Sequence, residues 1–122
     1  MTFTRLPQKR KRSKMGVRQS SVIDCPGHRR WVKSLECLCR NHPTIKCEGD
    51  MDPHHVRTRG AGGGDEQVIP LCRRRHSLLD SPWYTPARLE AECQVDFAEV
   101  ARGLWAISDA GKRYRMKQAR TA

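Results

Sequence analysis

The sequence predicts a small α+β domain: two short strands leading into a helix, further helices on either side, and basic disordered tails. Three observations carry this prediction. Two strand-like segments, 53–57 and 67–71, flank a glycine run, Gly60-Ala61-Gly62-Gly63-Gly64, that must be a loop. Helix-start chemistry recurs at Asp24-Cys25-Pro26, Thr85-Pro86 and Asp96-Phe97-Ala98-Glu99. The basic residues crowd the two ends of the chain, whereas the middle is nearly neutral.

Each element follows from its residues. Residues 1–21 are polar, basic and poor in large apolar side chains, which reads as a flexible N-terminal arm. The folded domain is expected over 22–108, and 109–122 as a basic C-terminal tail. After Pro26, the residues His28, Trp31, Val32 and Leu35 fall at helical spacing and form one face, with His28 packed there rather than acting as a ligand. Residues 36–52 hold Cys37, Cys39, Cys47, Pro43 and Gly49 and predict a loop or knuckle. The second strand contains Pro70, which must lie at its end or on an edge. A helix is expected from Cys72 to Asp80, placing His76 and Asp80, four residues apart, on one face. Helices then follow Pro86 and Asp96, and the stripe Phe97, Val100, Ala101, Leu104, Trp105 is core.

At 122 residues the chain holds one small domain with a modest core, to which a bound metal could add stability. The net charge is +11. Residues 1–19 carry seven basic side chains and no acid, residues 112–122 carry five and no acid, and the middle has twelve basic and thirteen acidic residues. Basic arms on a neutral domain favour a polyanion through counterion release, with strong salt dependence and little sequence preference. Lys9-Arg10-Lys11-Arg12 is the densest run and the first candidate for nucleic-acid contact. No apolar run reaches the length of a membrane span, and the basic N-terminus is not followed by the apolar stretch of a secretory signal. An intracellular protein with six reduced cysteines is expected, so metal ligation or burial is favoured over a disulfide framework.

The chemistry centres on three histidines, His54, His55 and His76. Neighbouring side chains on a strand point to opposite faces, so His54 and His55 must divide their work. A strand, a glycine loop, a second strand and a helix can bring His54, His76 and Asp80 together as ligands of one divalent ion. Two imidazoles and a carboxylate suit Zn²⁺, Mn²⁺, Fe²⁺ or Ni²⁺, while Mg²⁺ needs phosphate and water to complete its shell. His55 would be the unligated histidine, a residue type that can accept a proton from an attacking water at physiological pH.

The motifs His28-Arg29-Arg30-Trp31-Val32, Cys37, Cys47-Glu48-Gly49, His54-His55-Val56-Arg57, Gly62-Gly63-Gly64-Asp65 and Val68-Ile69-Pro70-Leu71-Cys72 with His76 resemble the HNH nuclease superfamily. In detail they are similar to small phage-type HNH proteins, over residues 22–106. The resemblance implies a ββα-metal (His-Me finger) core and a phosphodiester hydrolase acting on DNA, leaving 5′-phosphate and 3′-hydroxyl ends. It implies His54 and His76 as metal ligands, His55 as general base, Asp65 as the brace of the base, and Asp80 as a ligand where relatives usually carry another histidine. It also implies a phage or bacterial setting, the cytoplasm of the (infected) cell, and a homodimer or other DNA-processing proteins as possible partners.

Arg57, Arg59, Arg73, Arg74 and Arg75 flank the proposed site and read as phosphate contacts, Arg57 and at least one of the last three foremost. Many HNH proteins hold a structural zinc between two Cys-x-x-Cys pairs. Here the first pair, Cys37-Leu38-Cys39, is one residue too tight, and the second would need a cysteine where Arg75 stands. A site from Cys37, Cys39, Cys47 and Cys72 is geometrically imaginable, and buried thiols are the simpler account. The competing functional reading is a non-catalytic zinc-binding module for nucleic acid. It leaves His55 without a purpose next to a ligating His54. A basic assembly protein ranks third.

Overall fold

A computed structural model describes residues 22–121; the proposed arm contact at Lys9–Arg12 and the side chain of Arg59 lie outside what is described. The architecture is α+β, with five α-helices and one two-stranded antiparallel sheet among the described residues. In chain order these are α1 (Pro26–Lys33), β1 (Met51–His55), β2 (Val68–Cys72), α2 (Arg73–Leu78), α3 (Pro86–Cys93), α4 (Phe97–Ile107) and α5 (Asp109–Thr121). Among the described residues no helix is long and apolar enough to cross a membrane.

β1 lies slightly toward the N-terminus of the expected first strand and β2 slightly toward the C-terminus of the expected second. In its register Pro53 faces Pro70, His54 faces Ile69 and His55 faces Val68. Pro70 thus sits mid-strand, which is tolerated because both strands of a two-stranded sheet are edges. Its carbonyl accepts a hydrogen bond from Leu38 N–H at 2.9 Å, so the cysteine knuckle is laid against β2. All five residues of β2 are buried, those of β1 only partly. Ile69, Leu71, Leu89, Phe97 and Ala101 form the core together with Cys37, Cys39 and Cys72.

The caps read from sequence are present. Thr85 accepts from Arg88 N–H and Asp96 accepts from Glu99 N–H, each at 3.1 Å. Pro26 stands in the first turn of α1, and His28 and Val32 are its buried face. His28 is fully buried, its Nδ1 2.8 Å from Ser108 Oγ and its ring edge-on to Trp105.

Two expectations are corrected. The helix after β2 ends at Leu78, and Asp80 lies in the turn beyond it, its N–H bonded to Ser77 O at 3.1 Å. The C-terminal segment is not a disordered tail: Asp109–Thr121 is helical and packs on α1 and α4. Its anchors are not apolar, which is why composition hides it. Ser108 Oγ accepts from Gly111 N–H at 3.0 Å. Gly111 is buried so close to Trp105 that a Cβ would lie 2.9 Å from the indole. Arg115 stacks over the same indole and donates to Trp105 O at 3.0 Å, meeting one of the open carbonyls that end α4.

Candidate active site and cysteine knuckle

A cleft of about 370 Å³ is lined by His54, His55, Thr58, His76, Leu79, Asp80 and Pro86, among others. All three histidines and the aspartate singled out from sequence therefore meet at one place. His54 and His55 keep different partners, as alternation requires. Both still line the cleft, His55 at the last position of β1.

His54 faces α2. Its ring stands edge-to-face to His76 with centroids 5.0 Å apart, and Phe97 closes the space behind it at 6.5 Å. Burial, then repulsion by His76 and His55, hold the His54 pKa down to about 4. It is therefore a neutral imidazole with a free lone pair, the form a metal ligand requires.

His55 faces the glycine loop. Its Nε2–H donates to Asp65 Oδ1 at 2.9 Å, and the Asp65 side chain is fully buried. Asp65 Oδ2 accepts from Cys25 N–H at 2.7 Å, at the start of α1, and pairs with Arg29, which also binds Asp24 at 2.7 Å. A carboxylate so engaged can only accept from the ring, so it fixes the tautomer and leaves His55 Nδ1 as the basic nitrogen. The loop can deliver Asp65 because Gly63 lies against the backbone of β1's exit: a Cβ there would fall 1.7 Å from Arg57 O. Asp65 N–H is then fastened to Ile23 O at 2.9 Å.

His76 has a brace of its own. Its Nδ1–H donates to Asp52 Oδ2 at 3.2 Å, and Arg73 grips the same carboxylate through Nε at 2.9 Å and Nη2 at 3.0 Å. Hydrogen bonding from Arg73, then from His76, lowers the Asp52 pKa. Nε2 of His76 is left to bind a ligand. A carboxylate behind a histidine is the usual support of a metal-bound imidazole. Nothing in the sequence pattern marks Asp52; only the register of β1 against α2 brings it to His76. His54, His76 and the exposed Asp80 carboxylate thus line one cleft and are of the donor types that ligate divalent ions, but among the described residues only the thiols of Cys37, Cys47 and Cys72 converge closely enough to form a ready ligand group.

The arginines divide. Arg57 is exposed at the exit of β1 and Arg74 is exposed on α2. Arg73 is exposed but committed to Asp52. Arg75 does not face outward for phosphate: it is fully buried. Its Nη1 lies 2.8 Å from Cys47 Sγ, 3.3 Å from Cys72 Sγ and 3.7 Å from Cys37 Sγ, and Nη2 donates to Ile45 O. The spacing of a knuckle, in which position 75 follows Cys72 by one helical turn, turns this side chain inward.

Cys37, Cys47 and Cys72 have their sulfurs all within 4.8 Å of one another and form a group that could hold a metal ion. Cys39 is not part of it and instead contacts Cys93. Gly49 (φ +83°) lets the loop after Cys47 pass over Arg73, where a Cβ would come within 2.6 Å of that side chain.

No family model, no curated protein and no solved structure matches this chain.

Proposed function

We propose that the protein is a metal-dependent DNA endonuclease of HNH type, with the hairpin and α2 as its ββα-metal core. The observation that carries this reading is the pairing of two differently braced histidines at one cleft, His55 on buried Asp65 and His76 on Asp52, with neutral His54 beside them. A purely structural site needs no histidine held with one nitrogen free beside the ligands.

In this reading His54, His76 and Asp80 hold one divalent ion, Mg²⁺, Mn²⁺, Zn²⁺ or Ni²⁺. When bound, the ion supplies positive charge for the scissile phosphate and the departing 3′-oxygen. His55 Nδ1 takes the proton of the attacking water. Asp65 stabilises the imidazolium that results and keeps the ring from turning, as Arg29 and Cys25 N–H keep Asp65 from turning. Arg57 is the exposed arginine available to hold a flanking phosphate, and Arg74 would do so by leaving Glu48, 3.7 Å away. Single-site cutting makes nicks, with low sequence specificity given a basic, phosphate-directed grip.

The alternative, a non-catalytic zinc-binding module for nucleic acid, is favoured by one observation, the three-thiol group at Cys37, Cys47 and Cys72. Incubation of supercoiled plasmid with the full chain and each of the four metals separates the two. The nuclease reading expects metal-dependent nicks that DNA ligase reseals, as 5′-phosphate and 3′-hydroxyl ends allow. Binding of plasmid without a nick in any metal would decide for the module.

A further inference from the structure

We infer that the cysteine knuckle is a metal-type site whose cation is supplied by the chain itself: the Arg75 guanidinium takes the place of a structural metal among Cys37, Cys47 and Cys72. One nitrogen, Nη1, is within 3.7 Å of all three sulfurs. The three sulfurs converge from separate parts of the chain: Cys37 and Cys47 from the loop between α1 and β1, Cys72 from the end of β2. This is the task a structural zinc performs in small domains, drawing loop and hairpin to one centre. Position 75 is where a second Cys-x-x-Cys pair would place its fourth sulfur, and a long cationic side chain from that position ends inside the cluster instead.

Further contacts hold the guanidinium, although its Nε is buried without a hydrogen-bond partner among the described residues. Nη2 is bonded to Ile45 O, so the same group ties a fourth point of the loop. The residue has no exposed surface, although arginine is among the side chains least often fully buried. Cys72 N–H in turn donates to Cys37 Sγ at 3.3 Å, which orients that sulfur without a metal. A metal ion and Nη1 cannot share the centre, so occupancy by one excludes the other. This inference is independent of the nuclease reading, since it concerns neither the histidine cleft nor DNA.

Cobalt(II) is the probe, because thiolate-to-cobalt charge-transfer absorption reports sulfur ligands and is silent for imidazole and carboxylate. Cobalt bound at the histidine cleft is therefore not counted. The full wild-type chain is expected to show no such band with equimolar Co²⁺. Arg75→Cys should gain the band and lose it again on addition of a chelator. Arg75→Ala, which only vacates the centre, should gain a weaker band. Adding Cys47→Ser to either variant should remove it. A stoichiometric thiolate band in the wild type would overturn the inference, as would folded Arg75 variants that give no band.

Discussion

The histidine cleft and the cysteine knuckle are both built on the same short hairpin, and both gather metal-ligating side chains. They treat those side chains in opposite ways. In the cleft, His55 and His76 each spend one nitrogen on a carboxylate and keep the other free, and the space before them is open. In the knuckle the sulfurs are turned onto a cation already present, and the centre is full. The difference teaches that convergence of ligand atoms does not by itself leave a site open to a ligand. What distinguishes the cleft is a supporting shell that fixes each donor while leaving its outer atom unsatisfied.

Phe97 joins the two regions, since it backs His54 and belongs to the core that includes Cys37 and Cys72. Phe97→Ala should cost about 3–5 kcal/mol of stability and loosen both sites together, read as a fall in the denaturation midpoint. The remaining changes should separate them. Asp65→Asn keeps the shape but presents an amide that can hold the wrong tautomer. It should lower cleavage by about 10²-fold or more while the buried thiols of the knuckle, Cys37 and Cys72, keep their protection from alkylation. Asp52→Asn should weaken metal binding at the cleft by about 10–100-fold in a titration, with a smaller effect on DNA binding.

The smallest effect belongs to the knuckle side. Hydrogen bonds from His42, Tyr84 and Arg88 hold the Glu92 carboxyl down to about 2, and His42 ties the knuckle loop to α3. Because the folded value lies below the ordinary one near 4.5, this stabilisation is fully present above pH 4.5 and is lost as the pH falls toward 2. The denaturation midpoint should fall over that window more steeply in wild type than in Glu92→Gln.

Much of this was legible in the residues. Caps at Thr85 and Asp96 and the apolar stripe from Phe97 are local signals, and local chemistry decides them. The histidine pair, His76 and Asp80 could be placed together because strand, glycine loop, strand and helix leave few ways to fold. Other features depended on long-range contacts that no local pattern encodes. Asp52 becomes a brace only through the register of β1 against α2. Arg75 counts as surface charge in composition, and only the three-dimensional knuckle turns it into a buried cation. The last helix is held by a glycine and an arginine on Trp105, residues that a hydrophobic pattern does not register.

The central claim is that His55, tautomer-fixed by Asp65, activates water in the cleft. It is tested most directly by measuring plasmid nicking and DNA binding in the same samples of wild type and His55→Ala with Mn²⁺. The account predicts that His55→Ala binds metal and DNA as wild type does and nicks about 10²–10⁴-fold more slowly. Equal nicking by the two proteins would contradict it.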